Sequence, residues 1–176
     1  MNDRIWTLSN GLSLLRVLLV VPVGLLLQSG SPGSRLYAAA LILVAAFTDF
    51  LDGRIARLKD EVTRFGKIID PVADKVGINA VVLLLCAEGT LPVWFAVAVI
   101  GRDLAIVAAA VHLSRKGGTM PQSNRTGKWA AGVMALTVFV GVIDPGDTAG
   151  LIPPCLAAAA LMIVLSSISY AQRFSR

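Results

Sequence analysis

Charged residues, cysteine and histidine are scarce in this sequence, and their scarcity excludes several classes of protein. Only 15% of the 176 residues are charged and 56% are hydrophobic, whereas a soluble domain has about 25% charged residues. Together with a mean hydropathy of +0.75, this balance indicates an integral membrane protein. The two cysteines, Cys86 and Cys155, lie in apolar surroundings without a neighbouring histidine. The sequence therefore indicates neither a disulfide framework nor a cysteine-based metal site.

Long apolar stretches, in contrast, are abundant. Six of them reach about 20 residues, the length that crosses the hydrocarbon core of a bilayer. They run roughly over 9–28, 36–57, 69–88, 92–114, 128–144 and 149–171. Because backbone exposed to lipid must satisfy its own hydrogen bonds, each is expected to be helical. The sequence predicts an all-α fold, an integral membrane bundle of six transmembrane helices that forms a single domain over residues 1–176.

Lysine and arginine are concentrated in alternate connections between these stretches. The segment 54–67 holds five of them and the segment 115–128 holds four, whereas "AEGTLP" and "DPGDTAG" hold none. Basic connections stay in the cytoplasm. We therefore expect both chain termini on the cytoplasmic side.

Four aspartates interrupt the second and third apolar stretches. An ionised aspartate near the middle of a membrane helix costs about 2.5–3.5 kcal/mol on insertion scales, so a group of four requires compensation. On a helix, Asp49, Asp52 and Ala56 share one face at i, i+3 and i+7, and Gly66, Asp70 and Asp74 share another at i, i+4 and i+8. Two antiparallel helices could thus direct four carboxylates at one point on the cytoplasmic side.

Four carboxylates without histidine or thiolate form an all-oxygen site that suits Mg²⁺ or Mn²⁺. With this many ligands, two ions could share a bridging carboxylate and hold phosphoryl oxygens. Gly53 and Ala56 lie beside the aspartates, where small residues would let a base or a diphosphate approach the backbone. The structural alternative is that Gly53 and Ala56 serve helix packing, and that the aspartates pair with basic neighbours such as Arg57.

The segment reads D-x2-D-G-x2-A-R-x8-G-x3-D-x3-D and resembles the signature of the CDP-alcohol phosphotransferases without a departure. Its eight fixed positions are Asp49, Asp52, Gly53, Ala56, Arg57, Gly66, Asp70 and Asp74. The opening "SNGLSLLR" and, more loosely, "GRDLAI" and "NRTGKW" extend the resemblance over most of the chain. It implies a membrane enzyme, commonly a homodimer, that uses Mg²⁺ or Mn²⁺ to cleave a CDP-linked donor. The donor's phosphoryl-alcohol part passes to an acceptor hydroxyl and CMP is released.

The resemblance also assigns roles to the signature positions. Two metal ions are assigned to Asp49, Asp52, Asp70 and Asp74. Asp74 is also the expected base for the attacking hydroxyl. Gly53 and Ala56 are assigned to the cytidine pocket of the donor, with Arg57 and Gly66 close to it.

The acceptor is predicted from three cations outside the signature. Arg102 lies inside the fourth apolar stretch, and Arg125 and Lys128 open the fifth. We expect them to bind an acceptor that carries a phosphate; the alternative is that they balance an aspartate and follow the positive-inside bias. "NRTGK" has Asn124 where the family usually has serine.

Within the family the chain is most similar to the phosphatidylglycerophosphate synthases, which transfer the phosphatidyl group of CDP-diacylglycerol to glycerol 3-phosphate. "GRDLAI" is also similar to the cardiolipin synthases, whose acceptor is phosphatidylglycerol, and another CDP-alcohol phosphotransferase is a further alternative. A small cation transporter with intramembrane carboxylates is the alternative from another class. We expect a protein of a bacterial inner membrane whose active site faces the cytoplasm, with membrane lipid and no nucleic acid among its partners.

Overall fold

A computed structural model of the chain describes the backbone of residues 8–58, 66–115, 125–143 and 150–174. Side chains are described at 15, 17–31, 33–48, 75–108, 126–143, 150–169 and 172. The regular structure in these ranges consists of six helices: α1 (Leu8–Gln28), α2 (Pro32–Leu58), α3 (Gly66–Ala87), α4 (Val93–Arg115), α5 (Arg125–Ile143) and α6 (Ile152–Phe174). The predicted all-α fold is confirmed, and each predicted stretch lies within four residues of the observed helix ends.

Local chemistry sets the ends of these helices. Ser31 caps α2, because its Oγ accepts a hydrogen bond from Ser34 N at 3.2 Å, and Pro32 occupies the first helical position, which tolerates a missing N–H. After α3 the chain turns at Gly89 with φ 79°. Thr90 N and Leu91 N there donate to Leu85 O at 2.9 and 3.2 Å. This closing turn satisfies a free carbonyl at the helix end.

The chain divides into two compact units after Leu84. In the first unit, α1 packs against α2 around buried small and branched residues such as Val23, Ala38 and Ala39. Gly24 faces Leu84, whose Cδ1 would lie 3.2 Å from an added Cβ. The glycine thus lets α3 approach α1 closely.

In the second unit, α6 packs against α5 and also contacts α4. Phe95, Leu91 and Val142 belong to its buried core. Thr137 of α5 donates to Val133 O at 2.8 Å, and its Oγ1 lies 3.2 Å from Cys155 O of α6. This contact fixes how α5 and α6 are aligned along their length.

Large apolar side chains are exposed on the helices of both units. Leu25 is 65% exposed, Val97 67% and Leu161 60%, which is typical of faces that meet lipid rather than water. Among the described residues, windows of 18 residues in α5 and α6 are long and apolar enough to cross a membrane. Shorter apolar stretches occur at Val17–Gln28, Gly33–Thr48 and Lys75–Ala87.

Candidate functional site

The signature residues lie on two successive helices of the first unit. Residues 49–57 belong to the C-terminal turns of α2, and residues 66–74 form the start of α3, which begins at Gly66 itself. The helical backbone that the signature spacing requires is therefore present. The side chains of all eight signature residues lie outside those that the structure describes.

Helix geometry gives the register of these positions. Positions 49, 52 and 56 share one face of α2, and positions 66, 70 and 74 share one face of α3, because the spacings of three and four residues follow the helical turn. The donors available at four of these positions are carboxylate oxygens, the ligand type that Mg²⁺ and Mn²⁺ prefer. The chemistry of this donor set fits a divalent metal site.

The second unit holds the cations predicted for the acceptor. Arg102 lies near the middle of α4 with a side chain only 10% exposed, and its Nη1 is 3.2 Å from Asp103 Oδ1. Its Nη2 donates a hydrogen bond to Gly127 O at 3.2 Å. This second bond crosses from α4 to the first turn of α5, so the guanidinium connects two helices.

The same turn of α5 carries the other two predicted cations. Arg125 is the first residue of α5, and its side chain lies outside the described ones. Lys128 directly follows Gly127 and is exposed. The structure thus brings Arg102 to the turn that holds Arg125 and Lys128, while Arg102 itself is engaged by Asp103 and by the backbone.

Buried polar side-chain atoms occur at Asn79, Thr126 and Ser166, which the sequence analysis did not single out. Four side-chain atoms have no hydrogen-bond partner among the described residues: Asn79 Oδ1, Arg102 Nε, Thr126 Oγ1 and Ser166 Oγ. Ser166 is completely buried although its neighbour Ser167 is exposed. The only sequence signal for Thr126 is its place in "NRTGK" beside the two cations.

Comparison with known proteins links both units to one family. The family model of the CDP-alcohol phosphatidyltransferases matches residues 6–169, which include the signature and the three cations. A probable phosphatidylglycerophosphate synthase of Mycobacterium tuberculosis is 34% identical over 180 aligned positions, covering 98% of this chain and 84% of that protein.

Two further relatives match shorter parts. A CDP-diacylglycerol–glycerol-3-phosphate 3-phosphatidyltransferase of Bacillus subtilis is 34% identical over 102 residues, 56% of this chain and 52% of that protein. A CMP-forming cardiolipin synthase of Streptomyces coelicolor is 32% identical over 132 residues, 73% of this chain and 61% of that protein. The similarity therefore extends to relatives named for two different activities.

Proposed function

Because the chain belongs to the CDP-alcohol phosphatidyltransferase family, as its signature predicted, and is a transferase, we propose that it acts on CDP-diacylglycerol and glycerol 3-phosphate. The choice of glycerol 3-phosphate as acceptor is supported by the similarity to a probable phosphatidylglycerophosphate synthase along nearly the whole chain. The acceptor's hydroxyl oxygen attacks the phosphorus that bears the diacylglycerol. The bond from that phosphorus to the bridging oxygen breaks, and CMP leaves.

Asp49, Asp52, Asp70 and Asp74 would hold two Mg²⁺ or Mn²⁺ ions in this proposal. The ions would supply positive charge next to the diphosphate, which stabilises the transition state and the leaving CMP. The four carboxylates would be the ligands, carried by α2 and α3. Support comes from the oxygen donor set and from the helical backbone that carries it.

Asp74 is the proposed base that takes the proton from the attacking hydroxyl, a task that requires hydrogen-bond distance to the substrate. Gly53 and Ala56 form the cytidine pocket, because small residues on a helix permit a flat ring to approach the backbone. Arg57 lies one position after Ala56, and Gly66 begins α3. We assign both to the neighbourhood of the nucleotide.

Arg125, Lys128 and Arg102 are the proposed acceptor-phosphate residues. In support, Arg102 bonds to Gly127, between the other two along α5. Arg and Lys donate charge-assisted hydrogen bonds to phosphate oxygens, which are about twice as strong as neutral ones. Glycerol 3-phosphate offers such a group.

The proposed setting is a six-span membrane protein with both termini in the cytoplasm, working as a homodimer in a bacterial inner membrane. The apolar windows of α5 and α6 and the exposed apolar faces of the other helices support the membrane location. Trp94 and Trp129 lie within the first five residues of α4 and α5 and are exposed, as tryptophans at a membrane surface are. Alternating basic connections support the orientation.

Phosphatidylglycerol is the alternative acceptor, favoured by the similarity to a CMP-forming cardiolipin synthase. The cation-transporter alternative is set aside, because the chain is a member of a transferase family.

An acceptor panel tests the proposed function by measuring CMP release from CDP-diacylglycerol. Purified protein in detergent is supplied with CDP-diacylglycerol, Mg²⁺ and one acceptor at a time: glycerol 3-phosphate, phosphatidylglycerol, serine, inositol or inositol phosphate. We expect release with glycerol 3-phosphate; release with phosphatidylglycerol alone would assign the alternative.

A further inference from the structure

Three of the buried polar atoms that lack a partner among the described residues belong to the second unit. They are Arg102 Nε on α4, Thr126 Oγ1 on α5 and Ser166 Oγ on α6. The Ser166 residue is 0% exposed and the Arg102 side chain 10%. Leaving such atoms unpaired is unfavourable, so a buried group of them indicates an occupant that supplies hydrogen bonds.

The alignment of α5 with α6 places Thr126 and Ser166 at the same level. Thr137 Oγ1 lies 3.2 Å from Cys155 O, which gives a fixed point between the two antiparallel helices. Thr126 precedes Thr137 by eleven residues, and Ser166 follows Cys155 by eleven. Eleven residues make about three full turns and about 16 Å of rise. Thr126 and Ser166 therefore lie about the same distance along their helices from this contact, both towards the start of α5.

Arg102 reaches this level from the third helix. Its Nη2 donates to Gly127 O at 3.2 Å, and Gly127 is the neighbour of Thr126. The three atoms without partners among the described residues thus come from three helices at one height of the second unit.

We propose that α4, α5 and α6 enclose a hydrated polar site at this height, in which ordered water bridges Arg102 Nε, Thr126 Oγ1 and Ser166 Oγ. A buried water makes about three hydrogen bonds to such groups. Arg102 Nε–H can only donate, whereas each hydroxyl can donate or accept, so a water molecule can satisfy all three. At Nε, the charge of the Asp103 carboxylate, which lies 3.2 Å from Nη1 of the same guanidinium, favours water over an anion. A guanidinium has five N–H donors, so others remain for the proposed acceptor.

The same water also helps to position the proposed acceptor site, a role that rests on the proposed function. It holds the guanidinium whose other end bonds to the first turn of α5, where Arg125 and Lys128 lie. Ser166 is then a positioning residue: it touches no substrate and orients the turn through water and Arg102. The hydrated site itself does not depend on the identity of the acceptor.

A double-mutant cycle on the full-length protein in detergent tests the site. Ser166→Ala and Thr126→Val each remove one hydroxyl, and the unfolding equilibrium is measured by denaturant titration. Each change is expected to raise the unfolded-to-folded ratio about fivefold, the effect of one hydrogen bond. In the double variant, the unfolded-to-folded ratio should rise by less than the product of the two single increases, because both hydroxyls bind the same water. Ser167→Ala is the matched control: Ser167 Oγ is exposed and bonds to Ile163 O, so little change is expected.

Three results would overturn the proposal. If the two losses multiply, or if both variants are as stable as the control, the two hydroxyls do not share an occupant. If inorganic phosphate stabilises the unmutated protein, and Ser166→Ala abolishes that effect while Lys128→Gln retains it, phosphate binds at the buried atoms and the occupant is an anion and not water. Should Ser166→Ala fail to fold, Ser166→Cys keeps the size of the side chain and replaces it in the cycle.

Kinetics test the positioning role separately. Ser166→Ala should raise KM for glycerol 3-phosphate several-fold and leave KM for CDP-diacylglycerol unchanged, with Ser167→Ala unchanged in both. If the stability cycle shows coupling but KM does not change, the hydrated site is supported and the positioning role is refuted. Inactivity of the unmutated protein towards glycerol 3-phosphate would instead refute the proposed acceptor. The stability cycle would still test whether Thr126 and Ser166 share a water.

Discussion

Arg102 of α4 donates a hydrogen bond from Nη2 to the carbonyl oxygen of Gly127, 3.2 Å away in the first turn of α5. The contact joins two helices whose connection, residues 116–124, lies outside the described part of the chain. With only 10% of the Arg102 side chain exposed, solvent competes little for this bond. The guanidinium therefore has a structural task in addition to the phosphate binding proposed for it.

Arg102→Gln should destabilise the protein. A hydrogen bond from a charged group contributes about 1.5–3 kcal/mol, so the unfolding equilibrium constant should rise roughly ten- to a hundredfold at 1.4 kcal/mol per decade. Denaturant titration in detergent measures the change. Lys128→Gln is the control, since Lys128 is exposed and surface substitutions stay within about 0.5 kcal/mol. Equal stability of the two variants would contradict a structural role for Arg102.

Gly89→Ala and Gly132→Ala should change stability in opposite directions. Gly89 has φ 79°, a conformation that costs a residue with a Cβ about 1–2 kcal/mol, so its replacement should destabilise the protein. Gly132 lies inside α5 with no atom within 4 Å of an added Cβ. Alanine there should stabilise the helix by about 0.8–1 kcal/mol. Thermal unfolding in detergent compares the two, and a stabilised Gly89→Ala variant would contradict the observed turn.

Asp49→Asn and Asp74→Asn should both abolish turnover but differ in binding. Asp49 is proposed only as a metal ligand, so its loss should weaken metal binding and donor binding together. Asp74→Asn retains three ligand carboxylates and should still bind CDP-diacylglycerol when Mg²⁺ is present. Calorimetric binding with and without a chelator measures this difference. Near-normal turnover of the Asp74 variant would show that another group takes the proton.

The proposed orientation makes a prediction for thiol labelling. Single cysteines at Lys59 and Gly117, in a background without Cys86 and Cys155, should react with a membrane-impermeant reagent only when the cytoplasmic side is accessible. Both positions belong to basic connections, and connections rich in lysine and arginine are generally retained on the cytoplasmic side of a membrane. Intact cells and inverted vesicles provide the two conditions. Labelling of either cysteine in intact cells would refute the proposed topology.

The sequence predicts the helices well because long apolar runs can be stable in a membrane only as helices or closed barrels. The least accurate predicted boundary is the start of α2: the apolar pattern predicts residue 36, and the helix begins at Pro32. The apolar run begins later than the helix, because Ser31 and Pro32 form a polar cap that hydropathy alone does not detect. A capping signal, and not apolar length, sets this end.

The sequence left open that Arg102 pairs with an aspartate, as it does with Asp103, but its bond to Gly127 and the burial of Ser166 were beyond sequence reasoning. A cation inside an apolar stretch predicts a compensating group, but its bond to the Gly127 carbonyl depends on how α4 meets α5. Ser166 and Ser167 are adjacent and chemically identical, yet only Ser166 faces the core. The rotation of α6 about its axis decides between them, and it depends on packing with α5.

Arg125→Gln and Lys128→Gln test the proposed binding of the acceptor's phosphate. Loss of one charge-assisted hydrogen bond of about 1.5–3 kcal/mol should raise KM for glycerol 3-phosphate roughly ten- to a hundredfold. KM for CDP-diacylglycerol should change little, so that each substrate is the control for the other. Lys128 is exposed, and its replacement should leave stability intact, which separates a binding defect from misfolding. Equal loss for both substrates would mean that these cations serve the donor or the fold. An unchanged KM for glycerol 3-phosphate would leave them as basic residues of the connection that the proposed orientation places in the cytoplasm.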